Sequence, residues 1–105
     1  MTNGERDQAH RDAAEFLGLI GNEKRLAILK MLLEREMTVG SIADEVSLSQ
    51  SALSQHLAKL RSAGLVEARQ QSTLVWYSCN SDSVRRTLRT LDGIFPMIAA
   101  TADLL

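Results

Sequence analysis

At Gly64 the hydrophobic rhythm of the chain changes, and this change narrows the possible folds more than any other feature. Before it, apolar residues recur every three or four positions, the spacing of helices that bury one face. After it, LVEARQQ and TLVWYSC alternate with period two around a polar tip, Gln71-Ser72-Thr73, the pattern of a β-hairpin. Glycine suits the switch because it adopts the left-handed conformation that ends many helices without steric cost.

The helical part divides at its own caps. A first helix is expected from about Arg6 to Ile20, with Ala13, Phe16, Leu17 and Ile20 on one side and residues 1–5 disordered before it. Gly21 breaks it, and Asn22 caps a second helix, NEKRLAILKMLLERE, whose Leu26, Leu29, Leu32 and Leu33 form a face widened by Ile28. Thr38 caps a short third helix with Val39, Ile42, Ala43 and Val46 turned inward. Ser47 and Leu48 make a tight turn, and Ser49 caps a fourth helix that continues to Ala63.

Two short helices so joined, residues 38–63, are a helix-turn-helix, and the hairpin of residues 65–79 is a wing. A last helix over residues 81–95 carries Val84, Leu88, Leu91 and Phe95, a series that Ile98 continues at steps of three and four, a narrow seam suited to another helix. Pro96 ends or kinks it, and the tail MIAATADLL resumes as helix or frays. The expected fold is mainly α with a β-hairpin wing: four helices, two strands and a fifth helix in one domain of 105 residues. A core this small is naturally supplemented by a dimer interface.

The fourth helix lies within LSQSALSQHLAKLRSAGLV. On a helical wheel Leu53, Leu57 and Leu60 face inward, while Ser51, Gln55, Ala58 and Ser62 lie opposite, with Ser54 and Lys59 on the shoulders. Glu and Lys would serve an ordinary exposed face better. Neutral hydrogen-bonding side chains suit base edges in a DNA groove: Gln pairs bidentately with adenine, and Ser donates or accepts. Ser49 and Gln50 sit at the helix start, where backbone N–H groups also hold phosphate. Arg61 lies on the flank, to touch DNA or support a salt bridge, and Arg69 on the first wing strand is placed to reach phosphate or the minor groove. His56 lies near the buried edge, as a packing residue or a base reader.

Net charge is −1, which alone argues against nucleic acid, but the distribution is uneven. Residues 1–48 carry six basic and nine acidic side chains, whereas residues 49–90 carry Lys59, Arg61, Arg69, Arg85, Arg86 and Arg89 against Glu67 and Asp82. No apolar run is long enough to span a membrane and no signal peptide is evident, so a cytoplasmic protein is expected. The isolated glycines form no phosphate-cradling loop, and no nucleophile has a plausible base, so an enzyme is not expected. Cys79, the only cysteine, is either a small buried residue or a single-thiol redox switch.

These residues resemble the ArsR/SmtB family of winged helix-turn-helix transcriptional regulators from about Phe16 to Phe95. The segment S-x-S-x-L-S-Q-H-L-x-x-L-R-x-A-G-L-V is highly specific, and NEKRLAIL, MTVGSIADEV and YSCNSDSV add to it. The resemblance implies a homodimer joined through its first and last helices, hence through Phe16, Leu17, Ile20, Val84, Leu88, Leu91 and Phe95. It also implies repression by occupancy of an inverted repeat in double-stranded DNA.

The family's sensor sites are missing. Thr38 and Gly40 stand where the arsenic-type site has thiols. Asp82, Val84, Phe95 and Ile98 stand at the zinc-type positions, with three of four ligands lost. Lys30 replaces one thiol of the paired-cysteine sensors, and no cysteine lies near the chain end for the other. No metal or cofactor is therefore expected, and no effector is indicated. A winged-helix module that binds protein instead of DNA is the alternative from a different class.

Overall fold

The computed structural model describes residues 1–96. Five helices and three short strands follow in the order α1 (Asn3–Ile20), α2 (Glu23–Glu34), β1 (Met37–Thr38), α3 (Val39–Val46), α4 (Gln50–Ser62), β2 (Glu67–Gln71), β3 (Leu74–Ser78) and α5 (Asp82–Ile94). Ile98 and the tail MIAATADLL lie outside the described residues.

Every helix starts on a side-chain cap. Thr2, Asn22, Thr38, Ser49 and Ser81 each accept a hydrogen bond from the backbone N–H three residues on. Each cap satisfies a donor that the first helical turn leaves without an internal partner. Thr2 corrects the expectation of a disordered start. Its hydroxyl also donates to Glu5 at 3.2 Å, and the helix begins at Asn3, three residues before Arg6.

The end of α4 is equally specific. Leu65 N–H donates to Leu60 O and Gly64 N–H to Arg61 O, both at 2.9 Å, with Gly64 at φ +75°. This is the Schellman arrangement, and it turns the chain from helix into sheet. Between α3 and α4 the turn is made by Ser47 at φ +56°, a left-handed position held without glycine.

The sheet has one strand more than the sequence pattern revealed. β1 is two residues long, too short for any periodicity, and pairs antiparallel with β3 in the order β1-β3-β2. Met37 opposes Tyr77 and Thr38 opposes Trp76. The wing is thus tied to the start of α3 as well as to the end of α4.

Among the described residues, all buried side chains are apolar or Cys79. Ile28, Leu29 and Leu32 of α2 pack with Ile42, Ala43 and Val46 of α3, with Leu53, Leu57 and Leu60 of α4, and with Leu65, Val66 and Val84. Cys79 N–H donates to Leu32 O at 3.1 Å, pinning the end of the sheet to α2.

The seam on α5 exists but faces inward for half its length. Val84 and Leu88 are buried in the core of their own chain, where α5 packs on α2, and Ile20 is buried likewise. These three are corrected from interface residues to core residues. Phe16 and Leu91 are half-buried, whereas Leu17 (59% exposed), Ile94 (62%) and Phe95 (63%) are open to solvent.

Candidate nucleic-acid interface

The outer face of α4 is assembled by the three leucines beneath it. Leu53, Leu57 and Leu60 are fully buried, which fixes the rotation of the helix about its axis. Ser51, Ser54, Gln55, Ala58, Lys59, Arg61 and Ser62 are consequently exposed. Gln50, Ser51, Ser54 and Gln55 make no side-chain hydrogen bond within the described residues. Their donors and acceptors are available to a ligand, and Ala58 among them allows close approach. Ser49 is partly committed, because its hydroxyl oxygen accepts from Ala52 N–H at 3.1 Å.

His56 belongs to the side of the helix that packs. It is half-buried, and Arg25 Nη1 lies 3.3 Å from its Nδ1. Burial, the Arg25 charge and then Lys59 hold its pKa below the ordinary imidazole value. Because a guanidinium only donates, Nδ1 is the acceptor and the ring proton resides on Nε2. The packing role, one of the two roles open to His56 from sequence, is thus occupied.

Arg69 is tied down more firmly than its place in the sequence suggests. Its Nε and Nη2 donate to the two carboxylate oxygens of Glu36 at 2.7 and 2.8 Å, Nη1 donates to Gln71 Oε1 at 3.0 Å, and the guanidinium lies over Trp76, 5.7 Å from the ring centre. The bidentate bond raises the Arg69 pKa and lowers that of Glu36. Arg69 is therefore held on its own sheet and is not a loose phosphate-seeking cation. Sequence reasoning missed Glu36 because 33 residues separate the partners and only the unrecognised β1 brings them together.

The basic bias of residues 49–90 is also divided. Only Lys59 and Arg61 lie on α4, while Arg85, Arg86 and Arg89 lie on α5. Arg85 and Arg89 line a groove with Lys30 and Leu33 of α2, and Arg86 lies within 3.9 Å of Asp82. The wing tip is Ser72, at φ +59°, followed by exposed Leu74 and Val75. The α4 surface thus carries few charges and mostly neutral hydrogen-bonding groups.

Lys24 and Arg25, at the start of α2, were not singled out from sequence. Acidic residues are the favoured occupants of a first turn, and these two are basic. Their charges serve other helices. Lys24 Nζ donates to Val46 O at the end of α3, 2.7 Å away, and Arg25 donates to Leu19 O and Gly18 O at the end of α1. The departure from the macrodipole preference was the available signal.

Cys79 is 1% exposed, and burial pushes its thiol pKa up. A redox switch needs an accessible, easily ionised sulfur, so the redox reading of Cys79 is withdrawn in favour of the packing one. No group of three or more metal-ligating side chains exists among the described residues. No described helix is long and apolar enough to cross a membrane.

Residues 22–68 match the family model described as bacterial regulatory protein, arsR family. Over 91 residues the chain is 47% identical to the nodulation protein NolR of Rhizobium meliloti, covering 84% of this chain and 75% of that one. The crystal structure of NolR from Sinorhizobium fredii superposes with a TM-score of 0.83 at 45% identity, over 90% of this chain and 94% of that chain. The transcriptional activator HlyU of Vibrio cholerae is 41% identical over 95 residues, covering 90% and 88% of the two chains. A homodimeric winged helix-turn-helix DNA-binding domain from Mycobacterium bovis has a TM-score of 0.74 at 29% identity, covering 90% of this chain and 86% of that one. With its helix-turn-helix and wing in the same order, this chain belongs to the arsR family of bacterial regulatory proteins.

Proposed function

We propose that the protein is a cytoplasmic, sequence-specific transcriptional repressor that occupies an inverted repeat in double-stranded DNA as a homodimer and needs no metal to do so. The observation that carries this reading is the exposed face of α4, where Gln50, Ser51, Ser54 and Gln55 have no partner within the described chain. Base edges supply the matching donors and acceptors. Ser49 and Gln50 lie nearest the phosphates, and Lys59 and Arg61 add charge along the flank.

Dimerisation is supported by the apolar side chains that one chain leaves in water. Apart from Met1 and from Leu74 and Val75 on the wing, the large ones among the described residues are Leu17 on α1 and Ile94 and Phe95 at the end of α5, with Phe16 and Leu91 half-exposed beside them. α1 and α5 are neighbours, lining a shared groove of about 520 Å³ with Asp12, Phe16, Arg86 and Thr87. A two-fold pair joined there presents two α4 helices, and the operator has half-sites about 10 base pairs apart.

The test is selection from random DNA by the purified protein at two salt concentrations. An enriched inverted repeat that survives the higher salt supports the reading. Weak, sequence-independent binding that salt removes overturns it and leaves the protein-binding module. Repression is then read from a reporter carrying the enriched site. Increased transcription would make the protein an activator, as HlyU is named.

A further inference from the structure

Arg25 sits where three helices meet, and each of its three guanidinium nitrogens has a partner that is not a carboxylate. Nε and Nη2 hold the carbonyls of Leu19 and Gly18 in the last turn of α1, and Nη1 approaches His56 Nδ1 at 3.3 Å. Those carbonyls have no helical N–H ahead of them, and the negative end of the α1 dipole favours a cation there. One side chain of α2 thus ties α1, on the side assigned to dimerisation, to the middle of the helix assigned to base reading.

We propose that Arg25 is a positioning residue for DNA recognition, bracing α4 against the end of α1 through His56 Nδ1. This rests on the DNA-binding reading. His56 lies one residue after Gln55 and one before the buried Leu57, so a shift at its ring moves the groove-facing side chains with it. The brace requires a neutral imidazole, since a protonated Nδ1 has no lone pair for Arg25 and adds a second cation beside it. The charged groups facing this ring are Arg25 of α2 and Lys59 of α4, with Glu15 of α1 on the groove that Leu19 and Lys59 share. Burial of the ring, and then the charges of Arg25 and Lys59, lower the His56 pKa, so the brace is intact above that pKa and is lost as pH falls through it.

The experiment compares the wild type with His56→Asn, His56→Ala and Arg25→Ala on the duplex enriched from random DNA, between about pH 8 and about pH 5.5. Asn places an acceptor near the Nδ1 position and does not titrate in this range. Relative to His56→Asn, the wild type is expected to lose about threefold in affinity on acidification, because its lowered pKa leaves the ring only partly protonated at the acid end of this range. Arg25→Ala and His56→Ala are expected to bind about tenfold more weakly at the higher pH, while both remain dimers by sedimentation. Nitrogen NMR of the free wild type should show the Nε2–H tautomer, lost in Arg25→Ala.

Identical pH profiles for the wild type and His56→Asn overturn the proposal, as does full affinity in Arg25→Ala. If Arg25→Ala fails to fold, the first comparison still decides. A wild type with the Nε2–H tautomer but no preferred duplex overturns DNA recognition itself. That failure is distinct, because it appears in the wild type and not in the variants.

Discussion

α4 and α5 are built to the same plan and used differently. Each is thirteen residues long, each starts on a serine cap, and each buries an apolar strip in one core. They differ on the side the chain leaves uncovered. α4 shows unpartnered Ser and Gln; α5 ends in Ile94 and Phe95, more than half exposed. An amphipathic pattern therefore determines that a helix packs, while the chemistry of its open side determines what it meets next.

The comparison can be broken first at the buried side. Leu57→Ala should destabilise the fold by about 2–5 kcal/mol, measured by urea unfolding, because the site is enclosed on all sides. Phe95→Ala should leave monomer stability within about 0.5 kcal/mol. Its effect should appear as a shift toward monomer in sedimentation. If Phe95→Ala instead unfolds the chain, α5 has a second buried face and the contrast fails.

The open side of α4 comes next. Gln55→Ala should cost about 1–3 kcal/mol at one base position, with dimerisation unchanged. Uniform weakening on every duplex would mean that Gln55 touches backbone only.

Cys79→Ser, which places a hydroxyl in the apolar core with only the Ser81 backbone group at hand as a polar partner, should cost about 1–2 kcal/mol. In the native wild type the thiol should resist an aromatic disulfide reagent until denaturant is added. Rapid labelling of folded protein would restore the redox reading.

The smallest expected effect is at the helix end. Gly64→Ala should cost about 1 kcal/mol from left-handed backbone alone, since an added Cβ would meet no atom within 4 Å. A larger loss would reveal crowding there.

Local chemistry was the legible part of this sequence. Asn22, Thr38 and Ser49 announce their helices because a cap acts on a backbone group three residues away. The inward leucines of α4 follow from periodicity alone. Partnerships across the chain were not legible. The α5 seam shows that Val84 and Leu88 must be covered, but not that α2 of the same chain covers them. Arg69 reads as a free cation until Glu36 is brought beside it. The same holds for His56, whose partner Arg25 lies 31 residues away.

Trp76 is the only tryptophan and lies on the central strand of the sheet, with the Arg69 guanidinium above its ring. Cation placement over an indole alters the energy of its excited state, so the protein carries an optical probe of the wing. A duplex that draws Arg69 away from Glu36 would change the colour or brightness of ultraviolet emission, whereas one gripped by α4 alone would leave it unaltered. The two halves of the surface can thus be followed separately in solution, without a label and without altering a residue.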